Sequence, residues 1–488
     1  MKISFLDKKY NPYLILLLLA ALALRLYNLN YEGLWNDELF TADTANPSRS
    51  LGKVIDIMKF DVHPPLHNLL SNLWCRIFSF NDTSLRIFSV LWGLLAAFSL
   101  FQLAKLLFNK KVALYTLLLV VVNSYLIRYS QEVRSYSFFM ALSNYSFFYF
   151  VKLMRGVPSK KTLIGYIGFT TALLYTHYYA LFVYAGQGVM LLLLLPWKAL
   201  KTHFKQYALS FAVPILLFSA WIPILIKQLK VPHQSWLDTP SAKMIITYFQ
   251  EFFNDYLLST ISLILIVGTI FMLLFQKFTN KYSFFKPFLK HQKALWLLCG
   301  WTIFYFFFPM VQSKVSNSIL VSRYFIVVLG PILILLGFYI SKIPKKKNIR
   351  NGFVTSVVIY SLLVLFLNDR PYYTQSTSYR EIAQDARNIN PEAYVLFIGN
   401  HRRYFDYYLQ QNNIRKKNGY LESFSKLLEK DQPEEYFLFL DLRLTPKNFK
   451  NTIPVVSGYH QISEKTYYNQ NNIKTVKLVR YQKDKSTL

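Results

Sequence analysis

The sequence predicts a mainly α-helical membrane protein: a polytopic helix bundle of about 11 spans and a small C-terminal extracytoplasmic α/β domain. Of its 488 residues, 53% are hydrophobic and only 16% are charged, whereas roughly 25% are charged in a soluble globular protein. Its net charge of +30 comes from short basic clusters that lie between long apolar runs. This arrangement is typical of membrane proteins and does not indicate nucleic-acid binding.

The bundle is predicted from apolar runs close to the roughly 20 residues that a helix needs to cross the hydrocarbon core. The first run follows a basic start and has no small-residue cleavage site after it, so we expect it to be retained as a span. The predicted spans are 12–28, 85–106, 112–128, 135–152, 162–177, 179–196, 207–226, 257–276, 294–311, 321–341 and 352–368.

The orientation follows from the Lys and Arg residues, which concentrate in every second loop. These clusters are Lys2/Lys8/Lys9, Lys105/Lys110/Lys111, Lys152/Arg155/Lys160/Lys161, Lys198/Lys201/Lys205, Lys277/Lys281/Lys286/Lys290/Lys293 and Lys342/Lys345/Lys346/Lys347/Arg350. We expect them on the cytoplasmic side. The outer face then carries 29–84, 129–134, 178, 227–256, 312–320 and everything from 369 onward.

The apolar run Pro64–Phe80 is left out of the span count. It has 17 residues and carries His67, Asn68, Asn72 and Arg76. Counting it as a span would reverse every later loop and put five basic clusters outside. We therefore predict an amphipathic helix on or dipping into the outer membrane surface, with an ordinary short span as the alternative.

The composition changes after the last span, so we predict a transmembrane domain over residues 1–368 and an extracytoplasmic α/β domain over 369–488. The second domain is polar, with apolar segments at Ala393–Gly399, Tyr436–Leu440 and Ile473–Val479 and a helical pattern at Ser378–Ile389. About 120 residues are enough for a hydrophobic core of its own.

The first candidate site is the acidic pair Asp37 and Glu38, which follows span one in the outer loop 29–84. A carboxylate pair beside a membrane is costly unless it is solvated or functional. The alternative is that both residues cap and charge the first turn of an interfacial helix over 38–47, a position where carboxylates are common.

Further polar residues are predicted on the same outer face. They are His63, Glu132, Arg134, His177, Arg323 and Tyr324. Each alone could be a snorkelling or interfacial side chain, but arginine is rare in short outer loops unless it has an anionic partner. A carboxylate beside several cations at headgroup depth suits transfer from a lipid phosphate. The carboxylate takes a proton from the acceptor hydroxyl, while Arg or His stabilises charge on the leaving phosphate.

Four motifs together resemble the type C glycosyltransferases of the protein O-mannosyltransferase and aminoarabinose-transferase superfamily, including bacterial family 39-like members. They are Trp35-Asn36-Asp37-Glu38, His63-Pro64-Pro65-Leu66 ahead of Ser84-Leu85-Arg86, Tyr129-Ser130-Gln131-Glu132-Val133-Arg134-Ser135-Tyr136, and Ser322-Arg323-Tyr324. The resemblance covers most of residues 10–340. The tail, with Tyr379-Arg380-Glu381-Ile382-Ala383, is similar to the extracytoplasmic domain of bacterial members.

The resemblance implies site roles by position. Asp37 is the catalytic carboxylate and Glu38 supports it. His63 lies near the donor phosphate, where the lipid A enzymes have Lys. Because imidazole is largely neutral at pH 7 without an anionic partner, His63 does not provide a permanent positive charge at this position. The second acidic position of the family falls on Glu132, or on Arg134 if the alignment slips.

We therefore expect an inverting membrane glycosyltransferase in the inner membrane of a bacterium, with the N-terminus cytoplasmic. The donor is a polyprenyl-phosphate sugar and the acceptor a lipid, glycan or protein, with no nucleic-acid partner. Arg134 and Arg323 hold the donor phosphate with His63, and Glu132, His177 and Tyr324 contribute to substrate binding. No cofactor is certain, and the sequence leaves open a divalent metal at Asp37 and Glu38. The alternatives are a flippase of lipid-linked saccharides and an inactive relative that binds polyprenyl phosphate.

Overall fold

The computed structural model describes most of the chain, and every candidate site residue lies within the described part. The described residues are 11–155, 159–229, 237, 240–279, 281–282, 286–344, 347–368, 379–389, 394–398, 402–411, 428–441, 458–468 and 474–484. The basic residues Lys2, Lys8, Lys9, Lys345 and Lys346 lie outside it, as do Ala393 and Gly399 at the ends of one predicted strand.

The described chain is mainly helical. Its α-helices are α1 Asn11–Leu26, α2 Asn36–Ala45, α3 Leu51–Met58, α4 Leu66–Ile77, α5 Asp82–Leu107, α6 Lys110–Val122, α7 Ser124–Gln131, α8 Tyr136–Met154, α9 Lys160–Leu174, α10 Ala180–Leu194, α11 Trp197–Thr202, α12 Phe204–Phe218, α13 Ile222–Leu229, α14 Ala242–Phe253, α15 Tyr256–Leu274, α16 Gln276–Thr279, α17 Lys286–Leu289, α18 Gln292–Val315, α19 Leu329–Lys342, α20 Lys347–Asn368, α21 Tyr379–Ile389 and α22 Arg402–Gln411. Two 3₁₀ segments occupy Ser219–Trp221 and Ser322–Val328.

Six helical stretches of the described chain are long and apolar enough to cross a membrane, or seven if the bent pair α6 and α7 is one span. They are Asp82–Leu107, Phe204–Leu229, Tyr256–Leu274, Gln292–Val315, Ser322–Lys342 and Ile349–Leu367. Each of the 11 predicted spans lies mostly on helical residues. The polytopic helical architecture is confirmed, whereas the number of spans stays a prediction.

Asn123 explains why the predicted span 112–128 is not one straight helix. Its side chain accepts a hydrogen bond from the backbone N–H of Leu126 and so caps α7, while its own backbone is extended. An N-cap begins a new helix because its φ and ψ angles are not helical. The chain consequently bends by 63° between α6 and α7.

Buried polar side chains join α8, α9 and α10. The Tyr166 hydroxyl donates to Oε1 of Gln187 at 2.8 Å, and Nε2 of Gln187 donates to the Ser146 hydroxyl at 3.0 Å. Ser146 in turn lies 2.9 Å from the hydroxyl of Thr170. Hydrogen bonds of this kind hold helices together in a bilayer, where hydrophobic burial does not distinguish neighbours from lipid. They connect the three helices to one another.

The chain divides into two compact units. The first contains residues 1–27, 49–72 and 86–369, and the second contains 28–48, 73–85 and 370–488. The second unit therefore includes two segments of the predicted outer loop 29–84 in addition to the predicted 369–488 domain. The predicted division at residues 368 and 369 itself stays a prediction.

The second unit contains a four-stranded sheet in the order β1-β2-β4-β3. Its strands are β1 Tyr394–Ile398, β2 Glu435–Asp441, β3 Tyr459–Tyr468 and β4 Lys474–Lys483. β1 and β2 are parallel, with Tyr394 opposite Tyr436, and the other two pairings are antiparallel. Tyr436, Leu438 and Val479 are among the residues of its hydrophobic core. The predicted strands and helix correspond to β1, β2, β4 and α21, while β3 and α22 were not predicted.

Candidate active site

Three backbone segments of the first unit meet around His177. The backbone N–H of Leu66 donates to the carbonyl of Tyr175 at 3.0 Å, which places the loop before α4 beside the end of α9. The Tyr179 hydroxyl donates to the carbonyl of Ile319 at 2.7 Å, next to the 3₁₀ segment Ser322–Val328. The segments carrying His63, His177 and Tyr324 thereby come together, although they are far apart in sequence.

The rings of His63, His177 and Tyr324 form a compact cluster. The two imidazole centroids are 4.8 Å apart, and the Tyr324 ring lies 5.9 Å from His63 and 4.6 Å from His177. Both histidines are buried. Three of the six predicted site residues that lie in this unit are therefore direct neighbours.

Arg134 and Arg323 add positive charge to this cluster. The buried Arg134 guanidinium lies 6.0 Å from the centroid of the Tyr136 ring, and that of Arg323 lies 5.7 Å from the centroid of Tyr324. The charges of Arg134 and Arg323 both act on the buried His177. The arginines supply permanent positive charge, since a guanidinium stays protonated in proteins.

The hydrogen bonds of His177 fix its tautomer. Its Nδ1 accepts from the backbone N–H of Tyr179 at 3.2 Å, so in the neutral ring the proton resides on Nε2. Within the part of the chain that the structure describes, this buried Nε2 has no hydrogen-bond partner. A neutral N–H donor beside two guanidinium groups is suited to an anionic oxygen.

Asp61 was not predicted as a site residue. Its Oδ2 lies 3.2 Å from Nδ1 of His63. Burial alone would raise the pKa of Asp61, but the hydrogen bond and positive charge of His63 and the charge of Arg134 lower it below its ordinary value. The carboxylate is therefore ionised beside His63. One acidic residue in a loop carries no sequence signal that would have identified it in advance.

His67 was noted in the sequence as a polar residue of α4 but not as a site residue. It is buried, and burial together with the charges of Arg134 and His63 lowers its pKa to about 3. Its ring packs near Phe88 and Phe138, with centroid distances of 6.0 and 6.2 Å. His67 is therefore a neutral residue that packs near aromatic rings beside the cationic cluster.

Glu132 occupies the end of α7. Its Oε1 accepts from Nε of Arg128 at 3.3 Å, an ion pair one helical turn apart. Arg134 instead acts electrostatically on Asp61, His67 and His177. The two residues thus have different surroundings, and the role of Glu132 as a substrate contact stays a prediction.

Asp37 and Glu38 lie in the second unit, in the first turn of α2. Oε2 of the buried Glu38 accepts from the backbone N–H of Trp35 at 3.1 Å, which is one half of a capping box. An indole cannot complete the box because it only donates hydrogen bonds. Glu38 therefore has a capping contact, whereas Asp37 is a half-buried carboxylate one position earlier.

The described residues contain no group of three or more His, Cys, Asp or Glu side chains arranged to hold a metal ion. Asp37 and Glu38 are thus not joined by a third such ligand in the described part of the chain. A metal at this pair stays an untested alternative.

A model of the family described as dolichyl-phosphate-mannose-protein mannosyltransferase matches residues 62–224, about a third of the chain. This stretch contains His63, Glu132, Arg134 and His177. No curated protein matches the sequence significantly.

Several solved structures share the fold over nearly the whole chain. ArnT from Cupriavidus metallidurans in the apo state has a TM-score of 0.66 and 13% identity, with 96% of this chain and 98% of ArnT covered. ArnT bound to undecaprenyl phosphate has a TM-score of 0.62 with the same identity and coverage. AglB, the oligosaccharyltransferase of Archaeoglobus fulgidus, in complex with an inhibitory peptide and a dolichol-phosphate, has a TM-score of 0.53 and 10% identity, with coverage of 98% and 74%.

These comparisons confirm the predicted resemblance to the type C glycosyltransferases. At such low identity, the similarity to the solved structures concerns the fold, and the roles of individual side chains are argued from their own geometry.

Proposed function

We propose that this chain, which has the type C glycosyltransferase fold, is an integral membrane glycosyltransferase. It transfers a sugar from a polyprenyl-phosphate donor to a lipid, glycan or protein acceptor on the outer face of a bacterial cytoplasmic membrane. The observation that carries this proposal is the convergence of Arg134 and Arg323 on the cluster of Tyr324 and the buried His63 and His177.

The cationic cluster suits the donor phosphate. Buried positive charge is costly unless an anion balances it, and a guanidinium matches phosphate oxygens with a planar fork of donors. Nε2–H of His177 adds a neutral donor whose proton is fixed by the contact with Tyr179. Tyr324 supports Arg323 through the face of its ring. Polyprenyl phosphate is therefore the ligand class that we assign to this cluster.

The proposed reaction is a direct displacement with inversion at the anomeric carbon. The acceptor oxygen attacks that carbon and its proton passes to the carboxylate of Asp37, while the bond from the anomeric carbon to the phosphate oxygen breaks. The leaving polyprenyl phosphate gains one negative charge, which Arg134 and Arg323 stabilise. Glu38 orients the first turn of α2 through its contact with Trp35. Glu132 contributes to substrate binding in this proposal.

A single-turnover experiment with purified protein and a radiolabelled pool of undecaprenyl-phosphate sugars tests this function. Asp37→Asn should reduce transfer by roughly 100- to 10,000-fold and leave donor affinity nearly unchanged, because it removes only the proton acceptor. Arg134→Ala should weaken binding of undecaprenyl phosphate as well as transfer, since a charge-assisted contact is worth about 1.5–3 kcal/mol.

The cap alternative for Asp37 gives the opposite expectation, because Asn caps a helix as well as Asp. Near-parental transfer by folded Asp37→Asn protein would therefore contradict a role as base. Movement of lipid-linked saccharide across vesicle membranes without sugar transfer would indicate the flippase alternative instead.

A further inference from the structure

A tyrosine of the C-terminal region contacts the backbone next to the acidic motif. The hydroxyl of Tyr408, on α22, accepts from the buried backbone N–H of Leu34 at 2.5 Å. The same hydroxyl donates to Oδ2 of Asp82 at 2.9 Å. All three residues belong to the second compact unit. Because the Tyr408 hydroxyl donates its hydrogen bond to Asp82, a lone pair of its oxygen is left to accept from the N–H of Leu34.

Asp82 is itself held by two further groups. The Tyr407 hydroxyl donates to its Oδ1 at 2.7 Å, and Nη1 of Arg380 lies 3.7 Å from its Oδ2. Nη2 of Arg380 donates to the carbonyls of Asn30 and Tyr31, both at 3.1 Å. Side chains of α21 and α22 thus form hydrogen bonds to the backbone that leads into α2.

The packing leaves little room for this backbone to shift. A Cβ atom at Gly33 would lie 3.1 Å from the Tyr408 hydroxyl oxygen and 3.2 Å from Cβ of Arg380. Further along, Nδ2 of Asn46, which follows α2, donates to Oε1 of Gln410 at 3.4 Å. α22 therefore contacts the chain at both ends of α2.

We propose that Tyr408 is a positioning residue that holds the N-terminus of α2, and with it Asp37, in the geometry for proton transfer. The inference rests on the proposed role of Asp37 as the base. Leu34 directly precedes Trp35, whose carbonyl and N–H bond to Leu39 and Glu38 in the first turn of α2. A displacement at Leu34 is therefore transmitted to Asp37 through a hydrogen-bonded turn. The C-terminal domain then sets the rate of transfer without touching substrate.

Tyr408→Phe and Tyr407→Phe form a matched pair, because both lose a hydroxyl bonded to Asp82 and only the first loses the bond to Leu34. Single-turnover transfer and binding of undecaprenyl phosphate are measured for each, per amount of folded protein. We expect Tyr408→Phe to reduce the transfer rate by about 10- to 100-fold with donor affinity unchanged, because misplacing a catalytic group by about 1 Å costs rate at this scale. Tyr407→Phe should lose no more than about threefold on the same grounds.

Equal rates for the two folded variants would overturn the proposal. If Tyr408→Phe does not fold, Asp82→Asn tests it instead, with an expected rate loss of about 3- to 10-fold and unchanged donor affinity, since the carboxamide orients the Tyr408 hydroxyl less strongly. A parental rate for Asp82→Asn would then contradict it. Failure of the proposed function is a separate result: the parental protein would not transfer sugar, or Asp37→Asn would be as active as the parent.

Discussion

At the residue scale, Asp61 provides a carboxylate beside His63, a residue that carries no permanent positive charge of its own. Imidazole supplies a dependable positive charge near a phosphate only when a carboxylate or the phosphate supports it. The ionised Asp61, 3.2 Å from Nδ1 of His63, is such a partner and holds the Nδ1 proton. Because the ionised Asp61 accepts from Nδ1, Nε2 is the nitrogen of the His63 ring that remains to face a ligand.

This interpretation predicts coupling between Asp61 and His63 in donor binding. Asp61→Asn and His63→Gln should each weaken binding of undecaprenyl phosphate by about 10- to 150-fold, which corresponds to roughly 1.5–3 kcal/mol for a charge-assisted contact. The double variant should bind no more weakly than the worse single variant, because both changes remove one interaction. Titration calorimetry in detergent measures all four affinities.

Asp56→Asn is the matched control, since this carboxylate on α3 makes an exposed ion pair with Lys59 and should not affect the ligand. If the two losses multiply in the double variant, Asp61 and His63 act independently and the pair does not form a functional unit.

The site residues that could be predicted from the sequence are polar or charged side chains at predicted span ends and in short outer loops. His63, Arg134, His177, Arg323 and Tyr324 are outward-facing polar residues in the predicted topology, and the structure brings them together. Asp61 was missed because one acidic residue in a loop has no distinguishing pattern of its own. Tyr408 was missed because its contact with Leu34 joins residues that are 374 positions apart.

At the element scale, apolar runs located the helices and missed their breaks. The bend at Asn123 depends on a side-chain cap, which a hydropathy pattern does not register. β3 escaped prediction for a related reason: Tyr459–Tyr468 is polar and mostly exposed, and pairing with β4 rather than burial defines it. Strand propensity depends on such neighbours more than on intrinsic preference.

Close packing of α6 against α19 gives a stability prediction at this scale. A Cβ atom at Gly337 would lie 2.9 Å from the backbone nitrogen of Thr116 and 2.6 Å from its hydroxyl oxygen. Gly337→Ala should therefore separate the two helices and destabilise the folded protein by about 1–3 kcal/mol, as overpacking does. Thermal unfolding in detergent, followed by the loss of monodisperse protein, measures the change.

Gly268→Ala on α15 is the control, because nothing lies within 4 Å of its Cβ position. It should be neutral or slightly stabilising, since Ala is the better helix former. A midpoint for Gly337→Ala equal to that of Gly268→Ala would show that α6 and α19 do not pack this closely.

At the scale of the whole molecule, the two compact units group segments that are far apart in the chain, because long-range hydrogen bonds connect them. Residues 28–48 and 73–85 fall between the first two predicted spans, yet they group with residues 370–488. The contacts responsible include Arg380 with Asn30 and Tyr407 with Asp82. Composition locates a change from apolar to polar sequence, but it carries no information about which loops a polar domain binds.

The remaining prediction at this scale is the orientation, with the N-terminus cytoplasmic and the C-terminal domain outside. It depends on whether α4 crosses the membrane. α4 has 12 residues and is about 18 Å long at 1.5 Å per residue, against a hydrocarbon core of about 30 Å. Its length therefore favours an interfacial helix, which keeps all six basic clusters on one side.

Cysteine labelling of intact spheroplasts distinguishes the two orientations. Cys75 and Cys299 are both buried and free, and can be replaced by Ala to give a background without other thiols. A cysteine at the exposed position Asn388 on α21 should react with a membrane-impermeant maleimide, and one at the exposed position Lys201 on α11 should react only after lysis. If α4 spans, every later loop changes sides, so Lys201→Cys would be labelled in intact cells and Asn388→Cys would be protected. That reversed pattern would also move Arg134, His177 and Arg323 to the cytoplasmic face, where the donor phosphate would have to be presented from the opposite leaflet.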